Sequence, residues 1–187
     1  MRGRDIKQGR YEWAGLYIIN THNGYKQDDG TLIPRIVIQR FPSLKKHLDK
    51  YFETLKKRDD QGDTPYNLRS CGYMDDLNKQ KIIYSEIVQK PQFYFDEKGE
   101  FIPEASAFYL ACEKMEHLVD YLNNPLAGWI FKKYYAGGGL GDNGYRYKKA
   151  FFINLPIPKD VSKNPYISFN FTEDEIAYLN KIVAGLD

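Results

Sequence analysis

Two periodicities alternate along the chain. Tyr17-Ile18-Ile19 and Ile36-Val37-Ile38 are β-branched runs bounded by polar, Gly or Pro residues, and both predict strands. Asn23-Gly24 and Asp28-Asp29-Gly30 supply turns between them. From Pro42 the spacing becomes helical. Leu44, Leu48, Phe52 and Leu55 recur on one face, Lys45, Lys46, Lys50, Lys56 and Lys57 lie on the other, and Ser43 is placed to cap. A helix to about Arg58 is predicted, apolar on one side and basic on the other. A polar loop, Asp59–Asp63, follows it.

Beyond residue 80 the strand pattern returns. Lys81–Val88 and Ala107–Leu110 predict strands, and Phe93-Tyr94-Phe95 turns through Asp96-Glu97-Lys98-Gly99 into Phe101-Ile102 as an expected hairpin. Asp96, Glu97 and Glu100 are expected to be solvated acids of that turn. Helices are predicted over 113–122 and 125–135, broken at Asn123-Asn124-Pro125, where Pro125 suits a first helical turn. A glycine-rich loop spans 136–144, a short apolar strand is expected at 150–153, and Thr172-Glu173-Asp174-Glu175 is a capping box for a last helix to about Val183. Strands interrupted irregularly by helices point to an α+β fold with a mixed or antiparallel sheet. There is no internal repeat.

Composition narrows the function classes. The chain has 187 residues, enough to bury a proper core, with ordinary apolar content. No run approaches the roughly 18 apolar residues that span a bilayer, and the first residues lack an apolar signal core. Cys71 and Cys112 lie far apart and give no metal spacing, so a reduced, cytoplasmic protein with two free thiols is expected. His22, His47 and His117 share no ligand spacing either. The net charge of +2 conceals a local pattern. Arg2, Arg4, Lys7 and Arg10 crowd the first ten residues, and Lys132, Lys133, Arg146, Lys148 and Lys149 face only Asp142, whereas the C-terminus is acidic. Basic stretches of this kind bind phosphate if they converge on one face, and are plain solvated surface if they do not.

Several short tracts follow one another along the chain: Arg2-Gly3-Arg4-Asp5-Ile6, Tyr11-Glu12-Trp13 running on to Ile19-Asn20-Thr21-His22-Asn23-Gly24, Phe41-Pro42, Thr64-Pro65-Tyr66-Asn67-Leu68-Arg69, Lys81-Ile82-Ile83, and Leu155-Pro156-Ile157-Pro158. None is specific alone. Together, over residues 2 to 159, the chain resembles the TaqI-like C-terminal specificity domain of type IIG restriction-modification enzymes and their adenine-N6 DNA methyltransferase relatives.

The resemblance implies a target-recognition domain over 1–159 with a helical extension at 160–187, excised from a longer enzyme. It implies double-stranded DNA and the parent's methyltransferase domain as partners. No cofactor is expected in this domain. S-adenosylmethionine and Mg²⁺ would belong to the missing parts. Asn124-Pro125-Leu126 lacks the second proline and aromatic residue of the adenine-binding tract in those methyltransferases, and no Asp with a Glu-x-Lys is present for a nuclease. The chain should therefore catalyse nothing by itself. Arg2, Arg4, Lys7, Arg146, Lys148 and Lys149 are expected on phosphates, with Asn20, Asn23, Asn67 and Arg69 as candidates for specificity. Asn20-Thr21-His22-Asn23 serves equally well as a turn, and Arg69 as a phosphate contact or a buttress of the fold.

Gly139-Leu140-Gly141-Asp142-Asn143-Gly144 matches the dinucleotide fingerprint in letters, but a predicted helix precedes it where a strand is required. Its exit, Tyr145-Arg146-Tyr147-Lys148-Lys149, is expected either to lie along a DNA backbone or to be a plain connector. The readings from other classes are a protein-interaction module with a tyrosine-rich surface and an exposed apolar patch, and a small-molecule enzyme that uses the glycine loop.

Overall fold

The structure is a computed structural model that describes residues 1–112, 115–136, 140 and 144–184. In chain order the elements are β1 (Ile6–Lys7), β2 (Arg10–Tyr11), β3 (Tyr25–Lys26), β4 (Leu32–Ile33), α1 (Pro42–Asp49), α2 (Phe52–Lys56), β5 (Lys81–Ser85) and β6 (Ile87–Val88). They continue with β7 (Phe93–Asp96), β8 (Ala107–Leu110), α3 (Met115–Leu122), α4 (Pro125–Tyr134), β9 (Tyr145–Arg146), α5 (Lys149–Phe152), α6 (Pro165–Ser168) and α7 (Glu173–Ala184). The strand pairings of these elements are all antiparallel, in the order β7-β5-β8 and the ribbons β1-β2, β3-β4 and β6-β9. The expected α+β class holds.

The chain divides into two compact units, residues 1–14 with 80–187 and residues 15–79. Residues 160–187, set apart above as an extension, fall within the first.

In the first unit β5 is the central strand, and every residue of it is buried. Side chains alternate across a strand, so its two faces feed two clusters. Ile82 and Tyr84 join Phe93, Leu118, Leu122, Phe131, Tyr147 and Phe152 on the helical side. Ile83 meets Ile6 and Ala107 on the other, with Tyr94, Phe101 and Tyr109 packed around them. Asn124 caps α4 by accepting the Leu126 N–H at 2.9 Å, with Pro125 in the first turn. Thr172 and Glu175 form the expected capping box at α7.

A buried ion pair closes one end of this sheet. Lys81 and Asp96 are register partners, 0% and 1% exposed, with Nζ and Oδ2 2.8 Å apart. The expectation that Asp96 is a solvated loop acid is corrected. Its two oxygens also accept the Glu100 and Phe101 N–H groups, each at 3.0 Å. That cap explains a second correction. Residues 101–102 are not a strand, because the turn is tied to the Asp96 side chain and β7 pairs with β5 instead.

Other local expectations also change. Ala150-Phe151-Phe152-Ile153 begins as the helical turn α5, in which the N–H groups of Phe151 and Phe152 both donate to Lys148 O, at 3.0 and 2.8 Å. A four-residue apolar run does not choose between helix and strand by itself.

In the second unit neither Tyr17-Ile18-Ile19 nor Ile36-Val37-Ile38 is a strand. Strand propensity takes effect only on a pleated, half-buried surface, and Tyr17, Ile18 and Ile19 are 84%, 52% and 41% exposed. The ribbon forms between them, from β3 and β4 around the Asp28-Asp29-Gly30 turn. Lys79 reaches Asp28 and Asp75, at 2.5 and 2.9 Å, and these carboxylates raise its pKa. The expected basic helix is two short ones. At the end of α1 the Lys50 and Tyr51 N–H groups donate three residues back, to His47 O and Leu48 O, and the chain restarts at Phe52. Phe41 occupies the cap position with Pro42 in the first turn, so Ser43 is not the cap.

Candidate nucleic-acid interface

The first tract of the chain folds as a latch on the central sheet. Gly3 donates its N–H to Ser106 Oγ at 3.0 Å and sits so close to β8 that an added Cβ would lie 2.6 Å from Ser106 O. Glycine is required there by approach. Arg2 and Asp5 close the latch on themselves. Asp5 accepts the Arg2 backbone N–H at 3.0 Å and two guanidinium nitrogens, the nearest at 2.8 Å. This charged hydrogen bonding holds the Asp5 carboxyl down at about 2. Ile6 behind it is fully buried, worth roughly 1.5–3 kcal/mol for a side chain of this size.

The latch carries cations to a definite place. Arg2 and Arg4 line an open depression of about 410 Å³ together with Glu86, Ile87 and Glu104. Ile87 is paired directly with Arg146 across the β6-β9 ribbon. Directly opposed residues of an antiparallel pair share a face, so Arg146 stands beside Ile87 on the same face of the ribbon. Their neighbours Val88 and Tyr145 turn into the core. Lys148 and Lys149 continue from Arg146 and are exposed. Arg146 itself is half-buried and does not line the depression, to which it is linked through its partner Ile87, and the two acids Glu86 and Glu104 border the depression beside Arg4. Lys7 is half-buried, donates to Arg4 O at 2.9 Å and faces Glu12 at 3.7 Å.

Tyr145 and Tyr147 are placed differently from the expectation. Each is 2% exposed, and their hydroxyls are 3.2 Å apart. Burial pushes the Tyr145 phenol up to about 12 and the Tyr147 phenol well above its ordinary value. Tyr147 packs on Phe131 with ring centroids 4.5 Å apart. Neither ring has surface left for a DNA backbone. The aromatic, basic exit of the glycine loop is half core and half surface by strand alternation. Gly139, Gly141, Asp142 and Asn143 lie outside the described residues.

In the second unit the tract from Thr64 to Arg69 is a hub. Asn67 is 1% exposed, so its expected role at a base is corrected to one in the scaffold. Its amide nitrogen donates to Thr21 O, His22 O and Ile36 O at 3.4, 3.3 and 2.9 Å, and its oxygen accepts the Thr64 hydroxyl at 2.6 Å. Thr21, buried, donates its hydroxyl to Tyr66 O. Arg58, which the sequence marks only as the end of the predicted helix, donates to Pro65 O and Asn67 O at 2.9 and 3.0 Å. Asn23 accepts the Asp63 N–H at 2.8 Å and donates to Asp63 and Ser70. His22 accepts the Gly24 N–H at 3.2 Å, and burial lowers its pKa. The turn-forming alternative therefore describes His22 and Asn23. Asn20 and Arg69 are exposed, and Arg69 lies 3.5 Å from Asp60.

Among the described residues no group of three or more His, Cys, Asp or Glu is placed to hold a metal ion, and no helix is long and apolar enough to cross a membrane. Neither Cys71 nor Cys112 is in a disulfide.

No curated protein matches the chain. A family model, the TaqI-like C-terminal specificity domain, matches residues 1–157. That span includes the latch at Arg2–Ile6, the hub at Thr64–Arg69, the buried pair Lys81–Asp96 and the β6-β9 ribbon. The chain belongs to the family of TaqI-like C-terminal specificity domains, the DNA-recognition domains of restriction-modification enzymes.

Proposed function

We propose that this domain binds duplex DNA sequence-specifically, as part of a type IIG restriction endonuclease or adenine-specific methyltransferase, and helps present one adenine to a methyltransferase domain of the parent chain. The observation that carries the reading is the pairing of Ile87 with Arg146 beside the depression bordered by Arg2 and Arg4. It supports a surface on which the cations of the N-terminal tract and those following β9 act together. Arg4, Arg146, Lys148 and Lys149 are the phosphate contacts in this reading. Arg2 acts through Asp5, holding the latch in shape. Exposed Asn20 and Arg69 remain the candidates for base contact, since amide and guanidinium groups pair in bidentate fashion with adenine and guanine.

Salt titration of duplex affinity tests it. Each neutralised phosphate contributes about 0.9 to the slope of log affinity against log salt. The triple variant Arg4→Ala, Lys148→Ala, Lys149→Ala should weaken binding to all sequences and lower the slope by about 2.7. A salt response equal to that of the unaltered chain, or no duplex binding at low salt, overturns the reading.

A second reading rests on the exposed run Leu16, Tyr17 and Ile18 of the second unit, which are 63%, 84% and 52% exposed. Apolar surface of this kind is where a protein partner docks. On that reading polar substitutions in 16–19 abolish a protein complex and leave DNA affinity unchanged.

A further inference from the structure

The first unit holds a second cavity, of about 250 Å³, that the reading above does not use. Four of its lining residues, Pro125, Gly128, Trp129 and Lys132, come from one face of α4 at the i, i+3, i+4, i+7 spacing. Lys90 and Gln89, from the loop after β6, form the opposite wall, and Gln8 from the β1-β2 turn closes one side. The walls are fixed. An added Cβ on Gly128 would lie 2.5 Å from Pro91 Cγ, so the loop is seated directly on the helix backbone. Gln8 donates to Asn123 O at 2.8 Å, and Asn123 is itself tied to both backbone groups of Phe93.

The chemistry of the lining is one-sided. None of its eleven residues is acidic, whereas Lys90 and Lys132 both reach it. Neither ammonium has an ion-pair partner among the described residues. Trp129 is half-buried and contributes a flat apolar wall, with the side-chain amides of Gln8 and Gln89 in reach. Two unpaired cations select an anion. An indole wall selects a planar ring, because stacking and cation–π attraction act on any base. The volume of about 250 Å³ lies just below the roughly 300–1,000 Å³ of drug-sized ligand pockets, which limits the occupant to a single nucleotide unit.

We infer that this cavity is a binding site for a nucleoside monophosphate unit, offered either as a free nucleotide or as an unpaired nucleotide of a DNA strand. In the second case only, the inference rests on the DNA-binding reading.

Trp129 is one of two tryptophans, so Trp13→Phe leaves it as the single indole reporter in the full chain. AMP, inorganic phosphate, a short single-stranded oligonucleotide and a blunt duplex are titrated separately against its fluorescence. AMP or the single strand quenches Trp129 saturably, and inorganic phosphate competes. Lys90→Ala and Lys132→Ala each raise the midpoint about 3- to 10-fold while the melting temperature stays unchanged. Quenching by AMP marks a free nucleotide site, and quenching by the single strand alone marks a strand-borne one. The variant lacking Arg4, Lys148 and Lys149 loses duplex affinity but keeps the AMP or single-strand midpoint, which separates this site from the proposed duplex surface. No quenching by either ligand, or midpoints indifferent to both lysines, overturns the inference.

Discussion

Removing Lys81 strands a carboxylate in the interior. Lys81→Met keeps the aliphatic stem and deletes the ammonium that lies 2.8 Å from Asp96, at a site where both residues are essentially inaccessible. Breaking a buried pair by deleting one partner costs about 3–5 kcal/mol, since the remaining charge has lost its counter-charge and cannot recover water. Asp96 keeps two backbone N–H donors at 3.0 Å, so the lower half of that range is expected, about 3–4 kcal/mol. For a chain of this size each kcal/mol moves the melting temperature by about 2–4 °C, giving a drop of about 6–16 °C. Urea unfolding of Lys81→Met, Asp96→Asn and the double variant forms a cycle. The double variant should cost clearly less than the sum of the singles, because the two losses share one interaction. A Lys81→Met deficit below about 1 kcal/mol, or strict additivity, refutes the reasoning. The consequence reaches the basic surface, because the turn pinned by Asp96 presents Phe101 to Tyr11 at 4.7 Å, beside the latch that carries Arg4.

Two other expectations follow from the same structure. Asn67→Ala should destabilise the chain by about 2–4 kcal/mol in thermal or urea melts, since it leaves buried backbone carbonyls and a hydroxyl without their partner, while Arg69→Ala should cost under about 1 kcal/mol. Because Asp5 is held at about 2, below its unfolded value near 3.9, the stability from the Arg2–Asp5 pair is fully present above that unfolded value. It is lost as pH falls through about 2, and Asp5→Asn should flatten this acid limb of stability measured by circular dichroism.

Signals that act within a few residues were legible in the sequence. Asn124 and Pro125 start α4, Thr172 and Glu175 start α7, and Ala107–Leu110 is a strand with the predicted ends, because caps and turns satisfy backbone groups locally. Family membership was legible as well, through short tracts whose residues turn out to be latch, hub and sheet closure. What a β-rich run pairs with was not legible. Tyr17-Ile18-Ile19 has strand composition and no strand, Phe93–Asp96 pairs back with β5 and not forward with 101–102, and Asp96 has the look of a turn acid while sitting under Lys81. The same holds for the candidate sites. Tyr145 and Arg146 are neighbours in sequence but one is buried and the other half-buried, decided by which face of a two-residue ribbon meets the core, and Lys90 and Lys132 line one cavity where Pro91 rests on Gly128. Local hydrogen bonding is written in residue type. Which distant groups meet depends on register and burial, and those exist only once the chain has folded.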